Sequence, residues 1–169
     1  AFSCPREEGY RRDIFPEYKA NRNATPNSPL LKILKEYCEG VYGTNQEPGL
    51  EADDILSIWA TSKMAFGGAR KILVSIDKDM LTIPGKVLNP NKMRRPVRIS
   101  KPAADRLMLK QALMGDSTDG YPGVPGIGRK TAVALLTEYG SLDALYAGLD
   151  TVDRLALRGA KRCKQLLTE

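Results

Sequence analysis

The chain has 169 residues, of which 42% are hydrophobic and 27% charged, with a formal net charge of +6. That composition can build one compact core with a small appendage and does not mark a disordered chain. No apolar run approaches the roughly 18 residues of a membrane span, and the basic balance favours a polyanionic partner.

Two counts narrow the chemistry. There is no histidine, so serine–histidine and cysteine–histidine catalysis, histidine-ligated zinc and histidine general bases are excluded within this chain. The three cysteines, Cys4, Cys38 and Cys163, are odd in number and form no Cys-x-x-Cys pair. They argue against a disulfide framework or a structural zinc site and fit a reducing cytoplasm, the expected location.

In chain order, Ala1-Phe2-Ser3-Cys4 reads as the end of a buried strand, and the expectation is a piece of a longer protein. Residues 5–29, broken by four prolines, read as irregular or short-helical. Ser28 is placed to N-cap a helix with Pro29 at its first position, running to about Gly40 with Cys38 inside. Val41-Tyr42-Gly43 fits a short strand. A second helix is expected from near Leu50 to Gly67-Gly68, and Lys71 to Ile76 reads as a buried strand of the parallel type. From about residue 102 the pattern is helical. Helices are expected over Pro102–Met114 and Arg129–Tyr139, with a third capped by Ser141 and ending near Gly148, then a basic helix over Thr151–Glu169.

Three stretches carry carboxylates: Glu51-Ala52-Asp53-Asp54, Asp77-Lys78-Asp79, and Asp116-Ser117-Thr118-Asp119. Singly, these fit a helix first turn, a loop after a strand, and a turn. Together they suggest one site. Glu51 and Asp54 share a helix face, and Asp77 leaves the carboxyl end of a strand, where open α/β sheets place their sites. Several carboxylates in one crevice repel unless cations neutralise them, and hard oxygen donors select magnesium or manganese. Two such ions can hold a phosphodiester and activate water without histidine.

Between two expected helices, Gly123-Val124-Pro125-Gly126-Ile127-Gly128-Arg129-Lys130-Thr131 forms a glycine hairpin whose amides and cations suit a phosphate. A helix precedes the glycines, so a dinucleotide fold is not indicated. The contact should be independent of sequence. Near the start, Tyr10, Arg11, Arg12, Tyr18, Lys19, Asn21 and Arg22 interleave aromatics with cations, which fits either frayed nucleic acid or a solvated basic surface. The basic stretch Lys92, Arg94, Arg95 and Arg98 is equally open.

The ordered set Tyr18-Lys19-Ala20-Asn21-Arg22, Glu51 to Asp54, Asp77 to Asp79, Gly115 to Gly120 and Gly123 to Gly128 resembles the 5′-nuclease family. That family includes flap endonucleases and polymerase-linked 5′→3′ exonucleases, and this chain looks most like the short-tailed-phage enzymes. The resemblance implies an α/β, Rossmann-like (PIN-like), mostly parallel sheet over 1–101 and a helical helix–three-turn–helix region over 102–169. It implies two magnesium or manganese ions on Glu51, Asp53, Asp54, Asp77, Asp79, Asp116 and Asp119, with Lys19 and Arg22 beside the scissile phosphate. It also implies duplex DNA with a free 5′ end or flap as partner. Arg11, Tyr18 and the 123–131 hairpin would contact that DNA, with potassium as a candidate on the hairpin carbonyls. Two departures stand out: the family's first metal-binding Asp would lie upstream of Ala1, and Ser3 or Cys4 stands where a second Asp is expected. The alternatives are a noncatalytic DNA-binding module and a ribonuclease on a related fold.

Overall fold

The structure is a computed structural model that describes residues 1–20 and 28–148. Arg22, Asn21, Cys163 and the helix expected over 151–169 lie outside the described residues.

Among the described residues, the first half carries a three-stranded sheet with strand order β1 (Leu73–Val74), β2 (Gly85–Leu88) and β3 (Val97–Ile99). β1 and β2 run parallel, with Leu73 opposite Val87 and Val74 opposite Leu88. β2 and β3 form an antiparallel hairpin, with Lys86 opposite Arg98. The sheet is therefore mixed, where a mostly parallel one was expected. Its small core is Leu73, Met80 and Val87, with Leu56, Ala60 and Ile99 packed against it. The expected buried strand over 71–76 is half-buried: Leu73 points inward, while Ile72, Val74 and Ile76 face out. The pleat alternates, and among the described residues only one face of β1 is covered.

Helix α1 (Arg11–Ile14) is a single turn. Helix α2 (Pro29–Val41) starts as expected, with Ser28 Oγ accepting from the Leu30 N–H at 3.3 Å and Pro29 at the first position. It absorbs Val41, and the Tyr42 N–H still bonds to the Cys38 carbonyl at 2.8 Å, so there is no strand at 41–43. None of its residues is buried, and Cys38 is only partly covered, not a core residue.

Helix α3 (Ala52–Thr61) ends earlier than expected. Ser62 is extended, and Phe66 and Gly67 adopt left-handed backbone that no α-helix tolerates. Lys71 Nζ donates to the Trp59 carbonyl at 2.8 Å and also to that of Ser62, satisfying the exposed end of the helix.

The second half is helical. Ser100 caps α4 (Lys101–Met114), accepting from the Ala103 N–H at 3.3 Å. α4 packs on α5 (Arg129–Glu138) and on the 3-10 turn Lys78–Thr82. Ser141 caps α6 (Leu142–Ala147) through the Ala144 N–H at 3.1 Å. Leu113, Ile127, Ala132, Leu135, Leu136 and Leu145 form the core of this half. No described helix is long and apolar enough to cross a membrane.

Candidate nuclease site

Three segments far apart in sequence meet at one cleft. Each is placed by a local device. Glu51 and Asp54 start α3, where Asp54 Oδ2 accepts from the Glu51 N–H at 2.9 Å. Asp77 follows β1 at the carboxyl end of the sheet, and its Oδ1 caps the next turn through the Asp79 N–H at 2.9 Å. Asp116 follows α4 in a loop closed by the pair Asp116–Tyr121, and its Oδ1 accepts from the Thr118 N–H at 2.8 Å. The cleft has a volume of about 680 Å³ and is lined by all seven expected carboxylates, Glu51, Asp53, Asp54, Asp77, Asp79, Asp116 and Asp119, with Arg11, Tyr18 and Lys19.

Among the described residues, cations hold three of these acids. Arg11 grips Asp54 bidentately, with both N–O distances 2.7 Å. Burial alone would raise the Asp54 pKa, but the Arg11 bond and the Glu51 backbone N–H hold it below its ordinary value. Lys19 Nζ lies 2.9 and 2.8 Å from the two Glu51 oxygens, and the Tyr18 hydroxyl donates to the same carboxylate at 3.2 Å. Burial works against the Lys19 ammonium, yet these bonds outweigh it and raise its pKa. Lys78 Nζ sits 2.6 Å from Asp116 Oδ2, and that bond lowers the Asp116 pKa.

Asp53 is different. No hydrogen bond or ion pair reaches its carboxylate from the described residues. Burial raises its pKa, and the neighbouring charges of Asp77 and Glu51 raise it further. The charge of Lys19 offsets only part of this, and such a crowded carboxylate is an environment that suits a cation. The donor set is all hard oxygen and suits magnesium or manganese. Among the described residues, however, no three acidic or cysteine side chains converge as a ready-made metal cage.

Lys19 has φ 55°, a left-handed backbone unusual outside glycine. Its N–H donates to the Asp119 carbonyl at 2.8 Å, and the Arg6 guanidinium donates to the Lys19 carbonyl. The strained residue thus links the first half of the chain to the acidic loop of the second.

Gln111, Phe15 and Tyr121 were not anticipated. Gln111, on α4, donates from Nε2 to Asp79 Oδ1 at 2.5 Å. Phe15 and Tyr121 meet edge to face at 6.4 Å and, with Tyr10 and Tyr18, line an aromatic recess of about 390 Å³ beside the cleft. Cys4 lies in the cleft wall, and its thiol pKa is raised by burial, with Glu8 and Glu51 adding to the effect.

The glycine hairpin lies away from the acids. Gly126, Gly128 and Thr131 line a separate recess with Ile127, whose side chain is buried in the helical core and leaves only its backbone for a ligand. Arg129 and Lys130 are exposed at the start of α5. Gly123 serves a different end: it has positive φ, and a Cβ there would strike the backbone of Met114 and Gly115.

An acid-lined α/β half with a helical half closed around a glycine hairpin defines a resolvase-like domain followed by a SAM-type fold. Family models agree: residues 1–104 match the 5′-3′ exonuclease N-terminal resolvase-like domain, and residues 103–169 its C-terminal SAM fold. The chain belongs to the 5′-3′ exonuclease family.

It is 37% identical to a 5′-3′ exonuclease of Buchnera aphidicola over 92% of this chain, and 33% identical to flap endonuclease Xni of Shewanella sediminis over 93%. It spans 58% and 63% of the lengths of those two relatives. Mycobacterium tuberculosis DNA polymerase I is 37% identical over 90% of this chain, which covers 18% of that protein. The bacteriophage T5 5′-exonuclease shares the fold, with TM-score 0.69 at 22% identity over 97% of this chain and 65% of that one. A T5 structure of the same fold contains zinc, and another is a complex with DNA and metal ions.

Proposed function

We propose that this chain carries the catalytic and DNA-gripping parts of a divalent-metal-dependent 5′→3′ exonuclease or flap endonuclease acting on DNA. The observation that carries it is the meeting of Glu51, Asp53, Asp54, Asp77, Asp79, Asp116 and Asp119 around one cleft, with Lys19 beside them. Residues 1–101 are the catalytic α/β half, and residues 102–169 complete the site and hold the duplex.

The seven carboxylates are the ligands for two magnesium or manganese ions, which when bound supply an activated water and stabilise the leaving oxygen. Lys19 sits where its ammonium is exchanged from Glu51 to the phosphate, and Arg22 serves the same charge. Asp53, crowded by the charges of Asp77 and Glu51 and held by no ion pair among the described residues, is first in line for metal. Tyr18 stacks on the base next to the cut, and Arg11 holds Asp54 in place until the substrate arrives. The backbone amides of Gly126 to Gly128, with Arg129, Lys130 and Thr131, grip phosphates downstream without reading bases, with potassium as a candidate on the hairpin carbonyls.

The test is release of short products from 5′-labelled duplex and flapped DNA in magnesium or manganese. Asp77→Asn should lower the rate by about 100-fold or more while DNA binding persists. Loss of binding along with cleavage would argue against a ligand role.

A second function, a noncatalytic DNA-binding module of the same fold, is favoured by Cys4 in the cleft wall and by the absence of a closed metal cage among the described residues. Salt-sensitive binding with no cleavage in either metal would select it.

A further inference from the structure

The nuclease function leaves one strongly charged feature unused. Residues 80–100 carry five cations, Lys86, Lys92, Arg94, Arg95 and Arg98, and no acid. All five are exposed, and none of them makes an ion pair among the described residues. They belong to the β2–β3 hairpin. We propose that this hairpin is a second DNA-backbone surface, binding duplex phosphates at the rim of the carboxylate cleft independently of the glycine hairpin.

Position comes first. β1 and β2 are parallel, so the carboxyl end of β2 lies beside that of β1. Asp77 leaves that end of β1, and the turn carrying Lys92, Arg94 and Arg95 leaves the same end of β2. The wall of the cleft runs through Met80, Thr82 and Ile83 to within two residues of β2.

Rigidity is the second point. Asn89 is 6% exposed and pins the turn. Its Nδ2 donates to the Ile76 carbonyl at 2.9 Å, just before Asp77, and its Oδ1 accepts from the Asn91 N–H at 3.0 Å. Its carbonyl accepts from the N–H groups of Lys92 at 3.1 Å and Met93 at 2.8 Å. The cations are therefore presented from a turn fixed to the strand that carries the site.

The third point is an energetic cost. Lys86 and Arg98 stand opposite each other across the antiparallel pair. Like charges so placed destabilise a hairpin. No acid among the described residues pairs with them, and a row of phosphates would relieve them. Sequence-independent polyanion binding needs unpaired cations on a stiff frame, and the hairpin supplies both.

This proposal rests on the nuclease function, and its test separates the two. Binding of a labelled, flapped duplex is measured by anisotropy in chelator, where no strand is cut, across a range of salt. The variant is Lys92→Gln/Arg94→Gln/Arg95→Gln. The slope of log affinity against log salt should fall by about 0.9 for each phosphate that is no longer neutralised, about 2 to 3 in all. Should the triple variant not fold, Arg94→Gln and Arg95→Gln singly should each lower the slope by about 0.9.

If the wild type neither binds nor cuts, the nuclease function and this surface both fall. If the wild type does both and the variants keep its slope, the surface alone is wrong. Binding of the wild type to anionic vesicles that the triple variant loses, with the DNA slope unchanged, would reassign the hairpin to lipid.

Discussion

Asp53 is held in the fold against its own electrostatics. Its carboxyl pKa is raised, first by burial and then by Asp77 and Glu51. A raised carboxyl stabilises the fold fully below the unfolded value of 3.8 and loses that contribution as pH rises through the folded one. Asp53→Asn should therefore raise the Tm of the metal-free protein at neutral pH by about 2–4 °C, which about 1 kcal/mol gives a chain of this size. The gain should disappear below about pH 4, where the wild-type acid is itself neutral. A thermal melt at the two pH values checks it. Asp54 and Asp116 behave oppositely: their lowered pKa values give stability present above 3.8 and lost as pH falls through the folded values. Gln111→Leu should weaken manganese binding by about 10-fold, measured by calorimetry with the metal alone, since Asp79 loses the donor that orients it. The acids were legible because each follows a readable signal: a helix start, the end of a strand, a glycine loop. Their partners were not. Arg11 meets Asp54 across 43 positions and Gln111 meets Asp79 across 32, and no local pattern encodes such a meeting.

Among the elements, most helices and β1 were readable, and the β2–β3 hairpin was not. α2 and α4 follow a serine cap and a proline that act locally, and α5 follows Gly128, so the expected and observed bounds differ by a residue or so. β2 and β3 are four and three residues long, and each carries a cation in its interior. That leaves no alternation long enough to stand out. Residues 41–43 looked like a strand because Val and Tyr favour one, yet Tyr42 still bonds back to the helix. In the loop after α4, Gly115 and Gly123 approach backbone to backbone: a Cβ on Gly115 would lie 2.5 Å from the Tyr121 oxygen, and one on Gly123 closer still to Met114 and Gly115. Gly123→Ala should cost about 2–3 kcal/mol and lower the Tm by several degrees, with metal affinity falling too because Asp116 and Asp119 sit in that loop. Unchanged melting and metal binding would contradict the close approach.

Across the whole molecule, two small cores are joined by polar links at the cleft: Lys19 to the Asp119 carbonyl, Lys78 to Asp116, and Gln111 to Asp79. The α/β layout was foreseeable from alternating strand and helix patterns, whereas the mixed sheet depended on a hairpin those patterns did not show. The links have a consequence for how such an enzyme is loaded. Because Arg11, Lys19 and Lys78 already neutralise Asp54, Glu51 and Asp116, three of the seven acids are balanced before any ion arrives. Under the proposed function, metal exchanges with those cations and adds charge only beside acids such as Asp53, so its arrival is not an act of assembly. Stripping the ion with a chelator should silence the protein yet leave its melting within a few degrees of the loaded form, and returning manganese should restore it at once, with no refolding delay. A chain that collapsed in chelator would show that metal, not its own lysines and arginine, holds the two halves together.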